Sequence, residues 1–137
     1  MSSFSFESAK AVADQQDQGT VVVIKDQVGE PFTFEDADGK TQECTARVAG
    51  QLSSVYRKAE DAMRDRQLKR RSVTLTGEML AKQQAELVAA CVLDWNLQNN
   101  GKLIPPTKEN ILTVFAAAPW IRADIEAVMS DPARFLG

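Results

Sequence analysis

The chain has 137 residues, of which 16 are basic and 19 acidic, for a net charge of −3, and it contains no histidine. This length suits one domain with a single modest core, and the near balance of charge excludes a protein whose whole surface attracts nucleic acid or anionic membrane. Without histidine, Ser-His-Asp and Cys-His catalysis are excluded, and the commonest metal ligand in proteins is missing.

The first fifty residues predict an arm followed by a small antiparallel sheet. Residues 1–19 are mostly polar with a thin apolar face, which indicates a weak helix or an N-terminal arm. The β-rich run Thr20 to Lys25 predicts a strand, and residues 32–34 predict a short extended piece. An Asp-Gly hairpin signal within residues 36–40 then leads into Thr41 to Val48, whose apolar and polar residues alternate as in a strand.

The apolar spacing then changes to that of helices. Ser53 or Ser54 can cap a helix over residues 55–71, because a serine oxygen accepts hydrogen bonds from the free amides of a helix start. Thr76 can cap the next helix, over residues 77–95. The apolar positions of this second helix recur at helical spacing and are Leu80, Leu87, Val88, Cys91, Val92 and Trp95.

The last forty residues predict a chain reversal, two helices and a final turn. Asn100-Gly101 is a turn dipeptide, and Thr107 can cap a helix from Lys108 to Ala117. Proline lacks an amide hydrogen and fixes φ, so we expect Pro119 at the first position of a helix that continues to Met129. Asp131 is placed to cap a final turn.

Together these elements predict an α+β fold, with a small N-terminal antiparallel sheet of about three strands followed by a bundle of about four helices. We expect residues 1–19 to form an N-terminal arm or weak helix. Residues 20–137 then form a single domain, with the sheet in residues 20–50 and the helical part in residues 51–137.

No residues stand at the spacing of a catalytic, metal or nucleotide site. The glycines form neither Gly-x-Gly-x-x-Gly nor a phosphate-binding loop, and the two cysteines have no partners at metal-ligand spacing. The carboxylates of residues 35–38 lack the EF-hand pattern and are typical of a turn. The sequence therefore predicts no enzyme, no catalytic residue, no metal and no cofactor.

The cysteines and the apolar segments bear on the cellular compartment. Cys44 and Cys91 lie in unlike contexts, which favours reduced, small hydrophobic residues over a disulfide. The first residues lack the charge and apolar run of a signal peptide. The longest largely apolar segment, around Leu87 to Leu93, is far shorter than the roughly 20 residues that cross a bilayer. We expect a soluble, intracellular protein.

The predicted helix over residues 55–71 is basic at its C-terminal end. Between Arg57 and Arg71 lie seven basic and three acidic residues, a local charge of +4. Such a helix can neutralise phosphates, and Tyr56 could stack on a base. However, aromatic residues do not interleave with the charges, which favours a solvated face or a patch for an acidic protein partner.

The two tryptophans each lie where one predicted helix gives way to the next. Their large apolar area favours core positions for both Trp95 and Trp120. The alternative for Trp120 is an interface anchor, because tryptophan and arginine often dominate binding energy. On that interpretation, a partner helix lies at the break made by Pro119. The candidate partner-binding residues are Phe115, Trp120, Ile121 and Arg122, with Arg70 and Arg71 at the rim.

Two blocks of sequence carry a resemblance to a known family. The first, Val48-Ala-Gly-Gln-Leu-Ser-Ser-Val-Tyr-Arg57, runs from a strand through glycine into a serine-capped helix. The second comprises Val92-Leu-Asp-Trp95, Asn100-Gly101-Lys102, Ile104-Pro105, Thr107, Glu109-Asn110-Ile111 and Pro119-Trp120-Ile121. In this order the blocks resemble the tail assembly chaperones of long-tailed bacteriophages, over roughly residues 20–130. The N-terminal arm departs from the family, whose members often have a shorter one.

The resemblance implies a non-enzymatic role. Members of this family bind the long, helical tape measure protein, keep it soluble and recruit the tail tube subunits that polymerise around it. It therefore implies the tape measure protein and the major tail tube protein as partners, the host cytoplasm as the location, and absence from the mature virion. It assigns no functional residues, and a homo-oligomer remains open.

Two other functions compete with this one. The first is a structural virion component, such as a minor tail or connector protein. The second, less favoured, is a small nucleic-acid-binding regulator that uses the basic helix from Arg64 to Arg71. No membrane partner is expected.

Overall fold

Five α-helices and seven short strands occur in residues 3–69 and 76–136, which are the residues that the computed structural model describes. The helices are α1 (Phe6–Gln18), α2 (Ser54–Lys69), α3 (Gly77–Cys91), α4 (Lys108–Ala117) and α5 (Pro119–Met129). The strands are β1 (Thr20–Val23), β2 (Thr33–Glu35), β3 (Thr41–Glu43), β4 (Thr45–Val48), β5 (Val92–Trp95), β6 (Gln98–Asn99) and β7 (Lys102–Leu103). A 3₁₀ turn, Pro132–Phe135, follows α5. The fold is α+β, as predicted.

The central sheet has the strand order β1-β4-β5, and all its pairs are antiparallel. One row across it, Val22, Ala46 and Trp95, is buried against the helices. The neighbouring row of Val21, Arg47 and Asp94 is exposed on the opposite face. This alternation is the reason that the apolar pattern of the first two strands is visible in the sequence.

The prediction of a helix through Trp95 is wrong, because α3 ends at Cys91 and the chain continues as β5. A bulge opposite Arg47 and Val48 leaves Leu93 without a pairing partner. Val92 and Trp95 therefore both point into the core, although a regular strand would place residues three apart on opposite faces. Residues three apart also share one face of a helix, so the apolar spacing of Val92 and Trp95 fits a helix as well as this bulged strand. The sheet is consequently not confined to residues 20–50.

The single strand predicted over Thr41 to Val48 is broken at Cys44 into β3 and β4. Three chain segments meet there in a closed ring of backbone hydrogen bonds. The amide of Ile24 donates to the carbonyl of Cys44 (2.8 Å), Cys44 to Phe32 (2.7 Å), and Phe32 to Ile24 (2.9 Å). The ring separates the hairpin of β2 and β3 from the central sheet, so the predicted three consecutive strands do not form one sheet.

The helix starts predicted from capping residues are confirmed. The Oγ of Ser53 accepts from the amide of Tyr56 at 3.0 Å, and is the cap of α2. The predicted caps Thr76, Thr107 and Asp131 each accept an amide hydrogen bond of 3.2 Å. Pro119 is the first residue of α5, and Asn100 and Gly101 form the β6–β7 turn with φ values of 51° and 82°. The helix α3 packs against α2, α4 and α5.

The N-terminal segment, predicted as a weak helix or arm, forms α1 and is attached to the domain by its last turn. The side-chain oxygen of Gln16 accepts from the amide of Leu52 at 2.8 Å. The carboxylate of Asp17 accepts from the amide and hydroxyl of Ser54 at 2.7 and 2.8 Å, so α1 supplies a second cap to α2. Arg47 donates to the carbonyl of Gln18 at the helix end.

Candidate partner-binding groove

The structure does not bring the four described members of the predicted partner-binding set together on one surface. Phe115 and Ile121 lie in the core, with 4% and 3% of their surface exposed. Trp120 is half-buried, and its Nε1 donates to the carbonyl oxygen of Lys25 at 2.8 Å. Arg122 forms an ion pair with Glu126 at 3.1 Å on the same helix. Pro119 does break the helix, but the break turns the apolar side chains inward.

The predicted rim, Arg70 and Arg71, lies outside the described residues. Of the six candidates, therefore, only Trp120 and Arg122 are seen with side chains that reach solvent. Their use by a partner stays a prediction.

The described residues include no group of three or more acidic or cysteine side chains placed to hold a metal. The two thiols are buried, and burial raises the pKa of Cys91 to about 12 and also raises that of Cys44. Thiols in such surroundings are protonated at neutral pH and are poor nucleophiles. Both cysteines are therefore core residues in this fold.

An open groove lies between α2 and α3 and reaches the start of α4. Its volume is about 430 Å³, within the usual range for ligand pockets. The lining residues are Ala59, Ala62, Met63 and Arg66 of α2, Glu86, Leu87 and Ala90 of α3, and Lys108 of α4. The groove is thus formed by two adjoining helices, and most of its lining is apolar.

Small side chains give the groove its depth. Ala59, Ala62 and Ala90 end at Cβ, so the two helices leave space between them where longer side chains would fill it. Met63 and Leu87 form the floor and are buried at 8% and 7% exposure. Along α2, Ala59 and Met63 stand four residues apart, as neighbours on one helix face do. The groove therefore runs along the helix axis.

The rim of the groove is charged and on balance positive. Arg66 lies 3.5 Å from Glu86, and the side chain of Glu86 is only 16% exposed, so this carboxylate is largely covered. Lys108 stands at the opening and has no carboxylate within 4 Å among the described residues. Two cations against one covered carboxylate favour an acidic group on whatever occupies the groove.

The exposed side of α2 carries pairs of opposite charge, as the sequence indicates. Arg64 lies 3.9 Å from Glu60 and 3.6 Å from Asp61, and all three side chains are solvated. Such exposed pairs contribute little to stability, but they reduce the field available to a phosphate backbone. Tyr56 packs against the core, so it does not stand free to stack on a base. In the described part of α2, these contacts therefore leave little free positive charge and no free aromatic ring for a nucleic acid.

No helix among residues 3–69 and 76–136 has the length and apolar character to cross a membrane. No protein-family model matches the chain, and neither do any curated proteins or solved structures.

The groove was missed at the sequence level because its two walls come from helices joined through residues 70–75. Its signal was present in α2, where Ala59 and Ala62 lie among mostly charged residues. Small residues such as alanine allow another helix to approach closely. The sequence pattern does not show whether that helix belongs to the same chain or to a partner.

Proposed function

We propose that this protein is a non-enzymatic tail assembly chaperone, which binds the tape measure protein, keeps it soluble and helps to recruit tail tube subunits. It acts in the host cytoplasm and is absent from the mature virion. The sequence resemblance suggests the class of partner. The observation that carries the proposal is the open apolar groove between α2 and α3.

The occupant of the groove is an amphipathic helix of the tape measure protein with acidic residues beside its apolar stripe. The stretch of α2 from Ala59 to Arg66 is about 10 Å long, or two helical turns, so it matches apolar side chains spaced three, four and seven residues apart. Each large side chain that fills the groove contributes about 1.5–3 kcal/mol from apolar burial. Lys108 and Arg66 pair with the flanking carboxylates.

This binding explains how a small protein keeps a long helical protein soluble. An unassembled tape measure protein exposes apolar helix faces, and such faces associate with one another. A chaperone that covers the apolar stripe replaces it with its own charged surface, which here carries a net charge of −3. Tail tube subunits then displace the chaperone as they polymerise.

The direct test is binding of helical tape measure segments by the variant Ala62→Glu. This change places a charge inside the groove, while glutamate remains a good helix former and stands four residues before Arg66. We expect affinity to fall at least tenfold, about 1.4 kcal/mol. The matched control is Ala123→Glu, an exposed alanine of α5 outside the groove, which should bind like the wild type. Equal binding by both variants would reject the groove as the site.

Mass spectrometry of purified particles separates the chaperone from a structural tail component. The proposal expects the tape measure protein to be present and this chain to be absent. Stoichiometric amounts of the chain in finished particles would instead support the minor tail or connector protein.

A further inference from the structure

The helix α1 extends beyond the domain to which it is attached. Phe6, Ala9, Ala13 and Gln16 share one face, because their spacings of three, seven and ten residues follow the helical repeat. At the C-terminal end of this face Gln16 is buried against Gly50, and Ala13 is half-buried. Phe6 and Ala9, at the other end, are exposed. The packing face therefore continues, uncovered by described residues, for about two turns.

An aromatic pair stands at the free end of this helix. Phe4 and Phe6 are 76% and 85% exposed, and their rings meet edge to face with centroids 5.3 Å apart. Two adjacent exposed phenylalanines form the kind of apolar patch that marks an interaction site. A helix of 13 residues is also marginal in water without packing, so a partner for this end would stabilise it.

The groove between α2 and α3 is complementary to this end of α1 in size and in charge. The groove is lined by three alanines that leave room for large side chains, and the free end of α1 offers Phe6 and Ala9, with Phe4 just before the helix. The free end of α1 brings one carboxylate, Glu7, because Asp14 and Asp17 lie in the attached half of the helix. The groove rim brings the cations of Arg66 and Lys108 against the one covered carboxylate of Glu86.

We propose that the aromatic end of α1 docks in the α2–α3 groove of a second copy of this chain. Each copy has one α1 and one groove. When each copy inserts its α1 into the groove of the other, the result is a two-fold dimer in which both helices and both grooves are occupied. Glu7, in the first turn of α1, is then available to Lys108 at the groove opening.

If the protein is the chaperone proposed above, self-docking regulates access to the groove. Only this consequence rests on the proposed function. The dimer covers the aromatic patch and the groove together, so the free protein exposes neither. A tape measure helix that binds the groove competes with α1 and shifts the dimer to a one-to-one complex, and the released α1 becomes free to contact the next component.

The test is sedimentation velocity of the purified full-length chain over a concentration series up to about 100 µM, where a dimer with a micromolar dissociation constant is nearly complete. We expect the wild type to dimerise. The double variant Phe4→Ser, Phe6→Ser and the groove variant Ala62→Glu should each raise the dissociation constant at least about tenfold, since aromatic anchors in a pocket dominate such interfaces.

Two controls separate docking from general effects. Val28→Ser removes another apolar side chain, exposed at 77% in a turn, and Ala123→Glu adds a charge outside the groove. Both should dimerise like the wild type, and circular dichroism should show that all variants are folded. A monomeric wild type, or a dimer that persists in either the phenylalanine variant or Ala62→Glu, overturns the docking proposal.

The two proposals fail in distinguishable ways. The phenylalanine variant keeps the groove, so it should still bind the tape measure segment. If the wild type is monomeric but Ala62→Glu loses that segment, self-docking is wrong and the chaperone function stands. If Ala62→Glu abolishes the dimer but not tape measure binding, the groove serves only self-association.

Discussion

At the scale of single residues, polar side chains complete the backbone pairing at the points where the sheet is irregular. Next to the break at Cys44, the amide of Thr45 donates to the side-chain oxygen of Asn96 at 2.6 Å, and Asn96 returns a backbone hydrogen bond to the carbonyl of Thr45. The side-chain nitrogen of Asn96 also donates to the carbonyl of Glu43. A buried or half-buried amide without a partner would cost about 1–3 kcal/mol, so Asn96 is needed where the ladder stops.

Gly50 is required by close packing between α1, the loop before α2 and the final turn. A Cβ at this position would collide with the side chain of Gln16 and stand 2.9 Å from the ring of Phe135. We predict that Gly50→Ala destabilises the fold by about 1–3 kcal/mol, as overpacking does. The matched control is Gly77→Ala in α3, where a Cβ would meet nothing within 4 Å among the described residues.

Urea denaturation measures both glycine variants. Gly77→Ala should be neutral or more stable by up to about 1 kcal/mol, because alanine is the better helix former. Equal free energies of unfolding for wild type and Gly50→Ala would show that the contact with Gln16 relaxes without cost.

Asp17 links α1 to α2 through its carboxylate, and this link depends on pH. Burial opposes ionisation, but the hydrogen bonds from Ser54 and Val55 outweigh it and lower the pKa of the Asp17 carboxyl below its ordinary value. A carboxyl with a lowered folded-state pKa stabilises the protein above its unfolded-state pKa and loses that contribution as the pH falls. The Asp17 carboxylate therefore stabilises the fold at neutral pH, and this contribution is lost in acid.

We predict that Asp17→Ala lowers the free energy of unfolding by about 1 kcal/mol at pH 7, the usual cost of losing a helix cap. The difference from wild type should shrink toward pH 3, where the wild-type carboxyl is increasingly protonated. Asp14→Ala, on an exposed position of α1, is the control and should change little at either pH. A cost for Asp17→Ala that stays constant across this range would contradict the role of the ionised carboxylate.

At the scale of elements, local signals predicted α4 and α5 to the residue. Their starts are determined by Thr107 and Pro119, whose effects on the backbone are contained in a few neighbouring residues. The sequence failed for β5, because the bulge at Leu93 imitates helical spacing. It also left α1 undecided, because its attachment through Gln16 and Asp17 involves residues more than thirty positions away.

Trp120 joins α5 to the turn that follows β1. Its ring packs against the core, and its Nε1 donates to the carbonyl of Lys25, 95 residues earlier in the chain. We predict that Trp120→Ala destabilises the fold by about 3 kcal/mol, whereas Trp120→Phe keeps most of the packing and loses about 1 kcal/mol with the hydrogen bond. Thermal unfolding of the two variants measures the difference. If Trp120→Ala leaves the thermal unfolding transition unchanged, Trp120 is not needed for the fold, and the alternative that it anchors a partner is favoured.

At the scale of the whole molecule, the fold class could be predicted from the change of apolar period after residue 50, but the candidate site could not. The helix break at Pro119 predicts exposed side chains at Ile121 and at the nearby Phe115, but tertiary packing buries both. The groove needs α2 and α3 side by side, and their pairing is decided by long-range contacts. The family resemblance is a property of the sequence alone and stays a prediction.

Hydrogen exchange of the variant Phe4→Ser, Phe6→Ser, whose groove is free of α1, with and without a tape measure helical segment tests the central claim most directly. If the groove is the binding site, protection should increase in α2 from Ala59 to Arg66 and in α3 from Glu86 to Ala90, and it should stay unchanged around Trp120 and Arg122. Protection at the start of α5 with none in α2 and α3 would contradict the groove and favour the surface predicted from sequence. No change anywhere would contradict the chaperone function itself.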